Sequence, residues 1–381
     1  MDLNGFHAGV FTGKHGYRSF SPSEINHTWT WEDPRINVLL AEANFHLGAL
    51  NAFSLTVPDI DMFIRMHSVK EATKSSKIEG TRTNIEEALR QERDITPEKR
   101  DDWLEVQNYV AAMNHAIRRL RRLPLSTRIL KETHGILMRG VWGSSNLPGE
   151  YRRSQNWIGG ATIEDAVFVP PHHSEISALM GDLEKFLHND AAQIPKLVRA
   201  AVAHYQFETI HPFLDGNGRL GRLLITLFLV STRLLNKPTL YLSDYFEKHR
   251  SLYYQNLMDV RTSNSLSQWL VFFLVGVAET SKKGARTLQR VINLKEHLLQ
   301  KKIPKFGKRA SSAGELLDHL YRNPYVSAAD VQGVVGISAP AANSLIDSFE
   351  KAGILKEVTG GRRNRVVEFE EYVKLFSERR G

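Results

Sequence analysis

Along most of the chain apolar residues recur every three or four positions, the spacing of helices that bury one stripe. After Pro34, the run INVLLAEANFHLGAL puts Val38, Ala41, Phe45 and Leu50 near one face and predicts a helix. A second is predicted from Ile60 to Glu79, ended by Gly80, and others over Ile85 to Gln91 and Trp103 to Leu120. In the last of these, Val106, Val110, Met113 and Ile117 hold helical spacing. Residues before about 30, rich in Gly, Ser and His, read as an irregular lead-in. Between Pro148 and Pro171 the pattern changes: NWIGGAT and AVFVPP are short β-prone runs joined across Gly159 and Gly160, which predicts an isolated hairpin. Helices resume with ISALMGDLEKFLHND, PKLVRAAVAHYQFETI, a helix starting near Arg219, SLYYQNLMDV and LSQWLVFFLVGVAET. Trp103 and Trp269 read as core, and His172 and His173 as solvent-side residues after the hairpin. The expectation is a mainly α fold, a helical core carrying one hairpin.

From 281 to 309 the apolar pattern weakens and basic residues accumulate, which reads as a helical connector ending in a linker at KKIPKFGKRASS. Beyond it, GELLDHLYRN, AADVQGVV, a turn at Gly336, and a helix opened by Ser338 precede two alternating strands around Gly360 and Gly361. Helix, helix, turn, helix, hairpin is the order of a winged helix-turn-helix. Gly360, Gly361, Arg362, Arg363 and Arg365 would suit a wing that touches phosphates, so DNA is a candidate partner.

A length of 381 residues allows two or three domains. Hydrophobic residues at 42% and charged residues at 24% exclude disorder, collagen and coiled-coil arrays. The formal charge, 50 − 42 = +8, favours polyanionic partners without choosing one. Cysteine is absent, so thiolate metal sites and cysteine nucleophiles are excluded. The first residues lack a cationic stretch followed by an apolar core, and the longest apolar run, LLITLFLV, is too short to span a bilayer. The expectation is a cytoplasmic protein without a membrane partner.

The densest chemistry lies in His211-Pro-Phe-Leu-Asp215-Gly216-Asn217-Gly218-Arg219-Leu220-Gly221-Arg222. GNGRLG formally matches a dinucleotide fingerprint, but a helix-like segment stands where that motif needs a strand. A Walker A loop fails too, because Gly221 is followed by Arg222 and Leu223. The physics of phosphate binding survives. Gly216 and Gly218 let successive amide N–H groups turn inward, and the helix that follows adds its positive end, which makes an anion nest. Asp215 beside such a nest suits Mg²⁺ shared with phosphate oxygens. Arg219 and Arg222, three apart on the helix, can clamp phosphates, and His211 can accept a proton near neutral pH.

This segment resembles the Fic motif, HxFx(D/E)GNGRxxR, at every specified position. The resemblance covers roughly residues 35 to 280; the hairpin is similar to the family's flap, and the C-terminal winged helix resembles an accessory domain common there. It implies a protein adenylyltransferase moving AMP from ATP to a Ser, Thr or Tyr hydroxyl of a target protein and of itself. By the same resemblance His211 is the general base, Asp215 holds Mg²⁺ between the α- and β-phosphates, and Asn217 with the Gly216 and Gly218 amides holds phosphate oxygens. Arg219 and Arg222 bind the β- and γ-phosphates, and the whole run 216 to 222, Leu220 and Gly221 included, forms the nucleotide site. Retention of Gly218, where the kinase-like Doc branch has lysine, favours AMP transfer.

Upstream, Ser75-Ser-Lys-Ile-Glu79-Gly80 resembles the family's inhibitory motif, (S/T)xxxE(G/N). Ser75 and Glu79 lie one turn apart on one face. A carboxylate in a last helical turn opposes the helix dipole by about 0.3 to 1 kcal/mol, so Glu79 gains from a cation elsewhere. The resemblance makes that cation Arg222. It also implies that the flap, Gln155 to Pro170, docks the target by strand addition, and that Tyr253 and Tyr254 line the adenine pocket. Arg261 stands where some relatives have asparagine. The implied organisation is an N-terminal helical region carrying the inhibitory helix (1–100), a Fic core (101–280), a basic connector (281–309) and a winged helix domain (310–381), with a homodimer expected. Two alternatives stay open: removal of AMP from a modified protein at the same site, and a DNA-binding regulator whose core senses nucleotide.

Overall fold

The computed structural model describes residues 3–13, 16–57, 60–140, 147–360 and 365–377. The opening residues are not an irregular lead-in: strands β1 (Gly9–Thr12) and β2 (Ser19–Pro22) pair antiparallel, Gly9 opposite Pro22. Phe20, fully buried, anchors this hairpin, and its N–H donates to the Val169 carbonyl at 2.9 Å. Periodicity misses such a piece because each strand is four residues long.

Helix α1 (Pro34–Thr56) begins at Asp33, whose carboxylate accepts from the Arg35 N–H, with Pro34 in the first turn. The buried stripe is Ile36, Ala43, Leu47 and Leu50, and the face expected from Val38, Ala41 and Phe45 points outward, Val38 66% and Phe45 72% exposed. Both stripes are apolar at helical spacing, so pattern alone does not choose between them. Then come α2 (Ile60–Ile78), ended at Gly80 with φ 112°, and α3 (Ile85–Ala88), a single turn closed by an Asn84–Glu87 capping box rather than a helix to Gln91. Helices α4 (Arg100–Leu120), α5 (Thr127–Leu137) and α6 (Ile176–His188) wrap the central pair, α7 (Lys196–Ile210) and α8 (Asn217–Ser231). Every residue of α7 from Leu197 to Ile210 is buried.

Helices α9 (Ser243–Lys248) and α10 (Arg250–Ser263) precede α11 (Leu266–His297), which lies along α1 and fixes α7 through Trp269, whose indole N–H donates to the Ala201 carbonyl at 2.9 Å. Trp103, by contrast, is partly exposed. No loop divides α11 at position 280, and the chain stays helical through a π turn (Leu298–Lys302) until Gly307, φ 57°, breaks the direction. The C-terminal unit follows as α12 (Ala310–Arg322), β3 (Tyr325–Ser327), α13 (Ala328–Val335), α14 (Ala339–Lys351), β4 (Lys356–Glu357), β5 (Val366–Glu368) and α15 (Glu370–Lys374), with the sheet ordered β3-β5-β4 and antiparallel. Ser338 occupies the α14 N-cap position without a side-chain bond. Gly361, Arg362 and Arg363, expected in the wing, lie outside the described residues. Arg365 is turned onto Glu350 and Asp347 of α14, at 2.5 and 3.3 Å. Among the described residues no helix is long and apolar enough to cross a membrane.

Candidate active site

Helix α7 ends by turning His211 into the left-handed region, φ 50° and ψ 59°, a conformation that costs a non-glycine residue about 1 kcal/mol or more. Arg152 braces this turn. Its N–H donates to the Pro212 carbonyl at 2.9 Å, and its guanidinium donates to the carbonyls of His211 at 3.0 Å, Ser154 at 3.1 Å and Pro171 at 2.5 Å. Desolvation first, and then the charges of Arg152 and Arg261, push the His211 pKa down to about 4. The imidazole is therefore neutral at pH 7 and able to accept a proton, with a weak contact to the Glu208 backbone opposing the shift.

The loop after His211 is locked from inside. Asn217 accepts from the Phe213 N–H at 2.9 Å and donates to the Phe213 carbonyl at 2.8 Å. Both ends of its side chain are thus engaged, so Asn217 shapes the loop instead of presenting its amide to a phosphate as the sequence suggests. The helix starts at Asn217, two residues before Arg219, with Gly216 at φ 73° as its cap. A Cβ on Gly216 would lie 2.7 Å from Met138 Sδ, so glycine is required twice there. His134 supports the loop from α5: Nε2 donates to the Asp215 carbonyl at 2.9 Å, Nδ1 accepts from the Gly149 N–H at 2.8 Å, and the ring stacks on Phe213 at 3.8 Å. Desolvation lowers the His134 pKa to about 4, which keeps that neutral tautomer. Asp215 lies at the mouth, its side chain 48% exposed, accepting from the Gly216 N–H at 2.5 Å and lying 3.7 Å from Arg219.

The two arginines of α8 have different partners. Arg219 is bound to Glu105 of α4 at 2.7 Å, and the Thr81 hydroxyl donates to the same carboxylate oxygen at 3.1 Å. Arg222, 1% exposed in its side chain, donates to the Ser75 hydroxyl and carbonyl, each at 2.9 Å, and to Glu79 Oε1 at 2.6 Å. Burial alone would raise the Glu79 pKa, but the Arg222 charge and hydrogen bond outweigh it and hold the carboxyl below its ordinary value. The Glu79 side chain keeps 37% exposure, so solvent screens the pair on one side. Gly218 makes the pairing possible, because a Cβ there would run into Glu79 Oε1. Leu220, in contrast, is fully buried in the core, away from the mouth.

Beneath Arg222 sit two carboxyls that sequence reasoning did not single out. Glu71 accepts from the Ser243 N–H and hydroxyl and from the Tyr109 hydroxyl, and burial raises its pKa to about 7 despite these bonds. Burial also raises Glu208 to about 7; its Oε1 is buried without a partner, and a Cβ on Gly221 would strike it. Glu208 was legible in principle, three residues before His211 on the same helix. Arg152, His134 and Glu105 carried no local signal, since each reaches the site from a distant element.

Tyr253 belongs to the core, its hydroxyl bonded to His204 Nε2 at 2.8 Å and its ring stacked on Phe246 at 4.5 Å. Tyr254 is 38% exposed, near enough to Glu79 and Arg222 for their charges to act on its hydroxyl. Arg261 packs its guanidinium 3.9 Å above the Phe168 ring and donates to the Thr209 hydroxyl at 3.1 Å, beneath the flap. The flap itself has one bridge, Ile158 opposite Phe168, in place of two regular strands. Asn156 Nδ2 ties it to the Phe213 carbonyl at 2.9 Å, and Trp157 and Val167 are 40% and 65% exposed. Among the described residues no group of three or more His, Asp or Glu side chains could cage a metal. A single carboxylate at the mouth of a phosphate nest suits Mg²⁺, which takes most of its ligands from phosphate and water.

Two family models match the chain: the Fic/DOC family N-terminal model over residues 38–118 and the Fic/DOC family model over 124–229. The chain is similar to the protein adenylyltransferase Fic of Drosophila persimilis, 30% identical over 181 residues, 47% of this chain and 31% of that protein. It is 38% identical to its namesake in Aedes aegypti over 110 residues, 29% of this chain and 19% of that one. The chain thus spans a third or less of the length of these curated relatives. The fold is shared with a Fic family protein from Desulfovibrio desulfuricans, TM-score 0.56 at 21% identity over 91% of this chain and 98% of that one. A Fic domain containing signaling protein from Bacteroides thetaiotaomicron gives 0.50 at 20% identity over 66% and 94%. Glu79 falls within the first matched segment, and the run 211 to 222 within the second.

Proposed function

In this Fic domain protein, we propose that the loop at 211 to 222 transfers AMP from ATP to a hydroxyl side chain of a protein, and that Glu79 holds the site inactive. The observation that carries the reading is the pairing of a neutral, half-buried His211 with an Arg222 already occupied by Ser75 and Glu79. The target hydroxyl oxygen attacks the α-phosphorus, its proton passes to the His211 imidazole, and the bond to the β-phosphate oxygen breaks, releasing diphosphate. Backbone N–H groups of Asn217 and Gly218 receive phosphate oxygens at the start of α8, the Gly216 N–H being held by Asp215. Asp215 would hold Mg²⁺, which when bound neutralises charge on the phosphates.

Arg219 reaches the phosphates from its bond to Glu105, whereas Arg222 becomes available to the γ-phosphate once Glu79 leaves. The flap receives the target, with Trp157 and Val167 as its exposed apolar contacts. A cytoplasmic homodimer fits the reading, and the outward stripe of α1, Val38, Ala41, Phe45 and Leu55, is the surface it would cover. A second reading, AMP removal, is favoured by one detail: Arg222 binds Glu79 through Oε1 alone, and the half-open carboxylate is placed to activate water.

The test incubates wild type, Glu79→Gly and His211→Ala with α-labelled or γ-labelled ATP and Mg²⁺, reading label on the protein itself. AMP transfer gives label from the α position alone, about 10- to 100-fold faster in Glu79→Gly if one charge-assisted contact is lost, and none in His211→Ala. Label from the γ position, or none in any variant, overturns it.

A further inference from the structure

Helix α1 has two apolar faces. One, made by Ile36, Ala43, Leu47 and Leu50, is fully buried, and the helix lies along α11. The other, made by Val38, Ala41, Phe45, Gly48, Ala52 and Leu55, is exposed at every position. Its steps are three, four, three, four and three residues, the spacing of a coiled-coil seam, in which each side chain inserts among four residues of a facing helix. Over about 25 Å of helix this is a row of knobs and holes open to solvent. A contiguous apolar strip of that kind marks a protein contact.

The order of large and small residues points to the occupant. It is balanced about the midpoint between Phe45 and Gly48. Laid antiparallel on a second copy of itself, the seam sets Phe45 against Gly48, Ala41 against Ala52 and Val38 against Leu55. A Cβ on Gly48 would meet no heavy atom within 4 Å, so there is open space for the ring of the other copy's Phe45. Ala41 on Ala52 lets the backbones approach, and Val38 on Leu55 closes both ends. A parallel pair would instead stack Phe45 on Phe45 and Gly48 on Gly48, overfilling one layer and emptying the next. Of the flanking positions Asn37, Glu42, Asn44, Ala49 and Asn51, only Glu42 is charged. In the antiparallel register the two copies of Glu42 lie about 13 Å apart along the axis, beyond the reach of strong repulsion in physiological salt.

We propose that two copies of this chain associate through α1, antiparallel about a two-fold axis that passes between Phe45 and Gly48. The contact is isologous, each copy offering the same patch. It gives the homodimer a surface, a direction and a register, and it rests on no step of the AMP-transfer reading.

Sedimentation of the full chain tests the association. One helix pair is smaller than a standard interface, so wild type should pass from monomer to dimer across about 1 to 100 µM. Phe45→Glu brings two carboxylates near the axis and should raise that midpoint at least about tenfold with Tm unchanged, because the side chain is exposed. Direction is read by cross-linking, since the chain has no cysteine of its own. Under oxidation, Ala41→Cys mixed with Ala52→Cys should form a disulfide-linked pair. Either variant alone should not, because its two thiols would lie about 16 Å apart along the axis. A monomer at every concentration would overturn the proposal and assign the seam to a different protein. A dimer unmoved by Phe45→Glu, a mixture that forms no cross-link, or cross-linking of either variant alone would overturn it as well, the last in favour of a parallel pair.

Discussion

The catalytic loop and the flap face each other across one carbonyl, that of Phe213. Asn217 donates to it from inside the helix pair at 2.8 Å, and Asn156 donates from the flap at 2.9 Å. The similarity ends there. Asn217 is 1% exposed and also accepts from the Phe213 N–H, while Arg152 and His134 bind the same loop from other elements. The flap has one bridge, a tip closed on itself by Asp165, and two exposed apolar side chains. The catalytic loop is gripped close to its reacting groups from three other elements, whereas the flap is tethered at its base, by Tyr17 to Gln155 and by Phe20 to Val169, and leaves Trp157 and Val167 open where the proposed target would dock. In the proposed reaction, rigid positioning would serve the chemical step and the open edge would serve recognition.

The largest effect that would break this contrast is expected at the base. His211→Ala should lower AMP transfer by about 10² to 10⁴-fold while leaving thermal stability near wild type, as the lost ring is only half-buried and alanine keeps the same strained turn. If transfer survives, the loop is rigid for another reason. Asn217→Ala comes next: removing a buried, doubly bonded amide should cost about 1 to 3 kcal/mol, read as a lower Tm together with lost transfer. Asn156→Ala should leave Tm unchanged and raise KM for a protein target a few-fold with kcat nearly kept. Equal effects from the two asparagines would erase the distinction.

The smallest effect sharpens it through pH. His67, His134, His204 and His211 are held by burial to about 3, 4, 3 and 4 against an unfolded value near 6.5. The unfolded chain therefore binds more protons below 6.5, and stability from these groups falls as pH drops from 6.5 toward 4. Glu71 and Glu208, raised to about 7, act oppositely, contributing stability at low pH that is lost as pH rises through 7. With four groups against two, Tm should decline on acidification across that window, and His134→Gln should flatten the decline more than a flap substitution does.

How far the sequence reaches follows the same division. Local spacing was enough for α2 with its Gly80 stop, for the run 211 to 222, and for the Ser75–Glu79 face that meets Arg222, because helix periodicity and short motifs are local facts. It failed where two local answers were equally good: α1 carries two apolar stripes, and only packing against α11 selects Ile36, Ala43 and Leu47 over Val38 and Phe45. It also failed where a partner is distant in sequence. Glu79 at Arg222 was expected, but nothing local pointed to Glu105 of α4 as the partner of Arg219. The β1–β2 hairpin was missed because its strands are too short to show a period and are held by the flap's Val169 carbonyl.

Helix α11 is a splint. Its 32 residues make a rod about 48 Å long, with Trp269 pinned under α7 near one end, α1 laid along its side, and the C-terminal unit following at the other end. That unit is fixed to the core a second time, where Phe376 rests against Phe63 and His67 of α2. Two attachments far apart in sequence brace one another, so neither joint is free to turn alone.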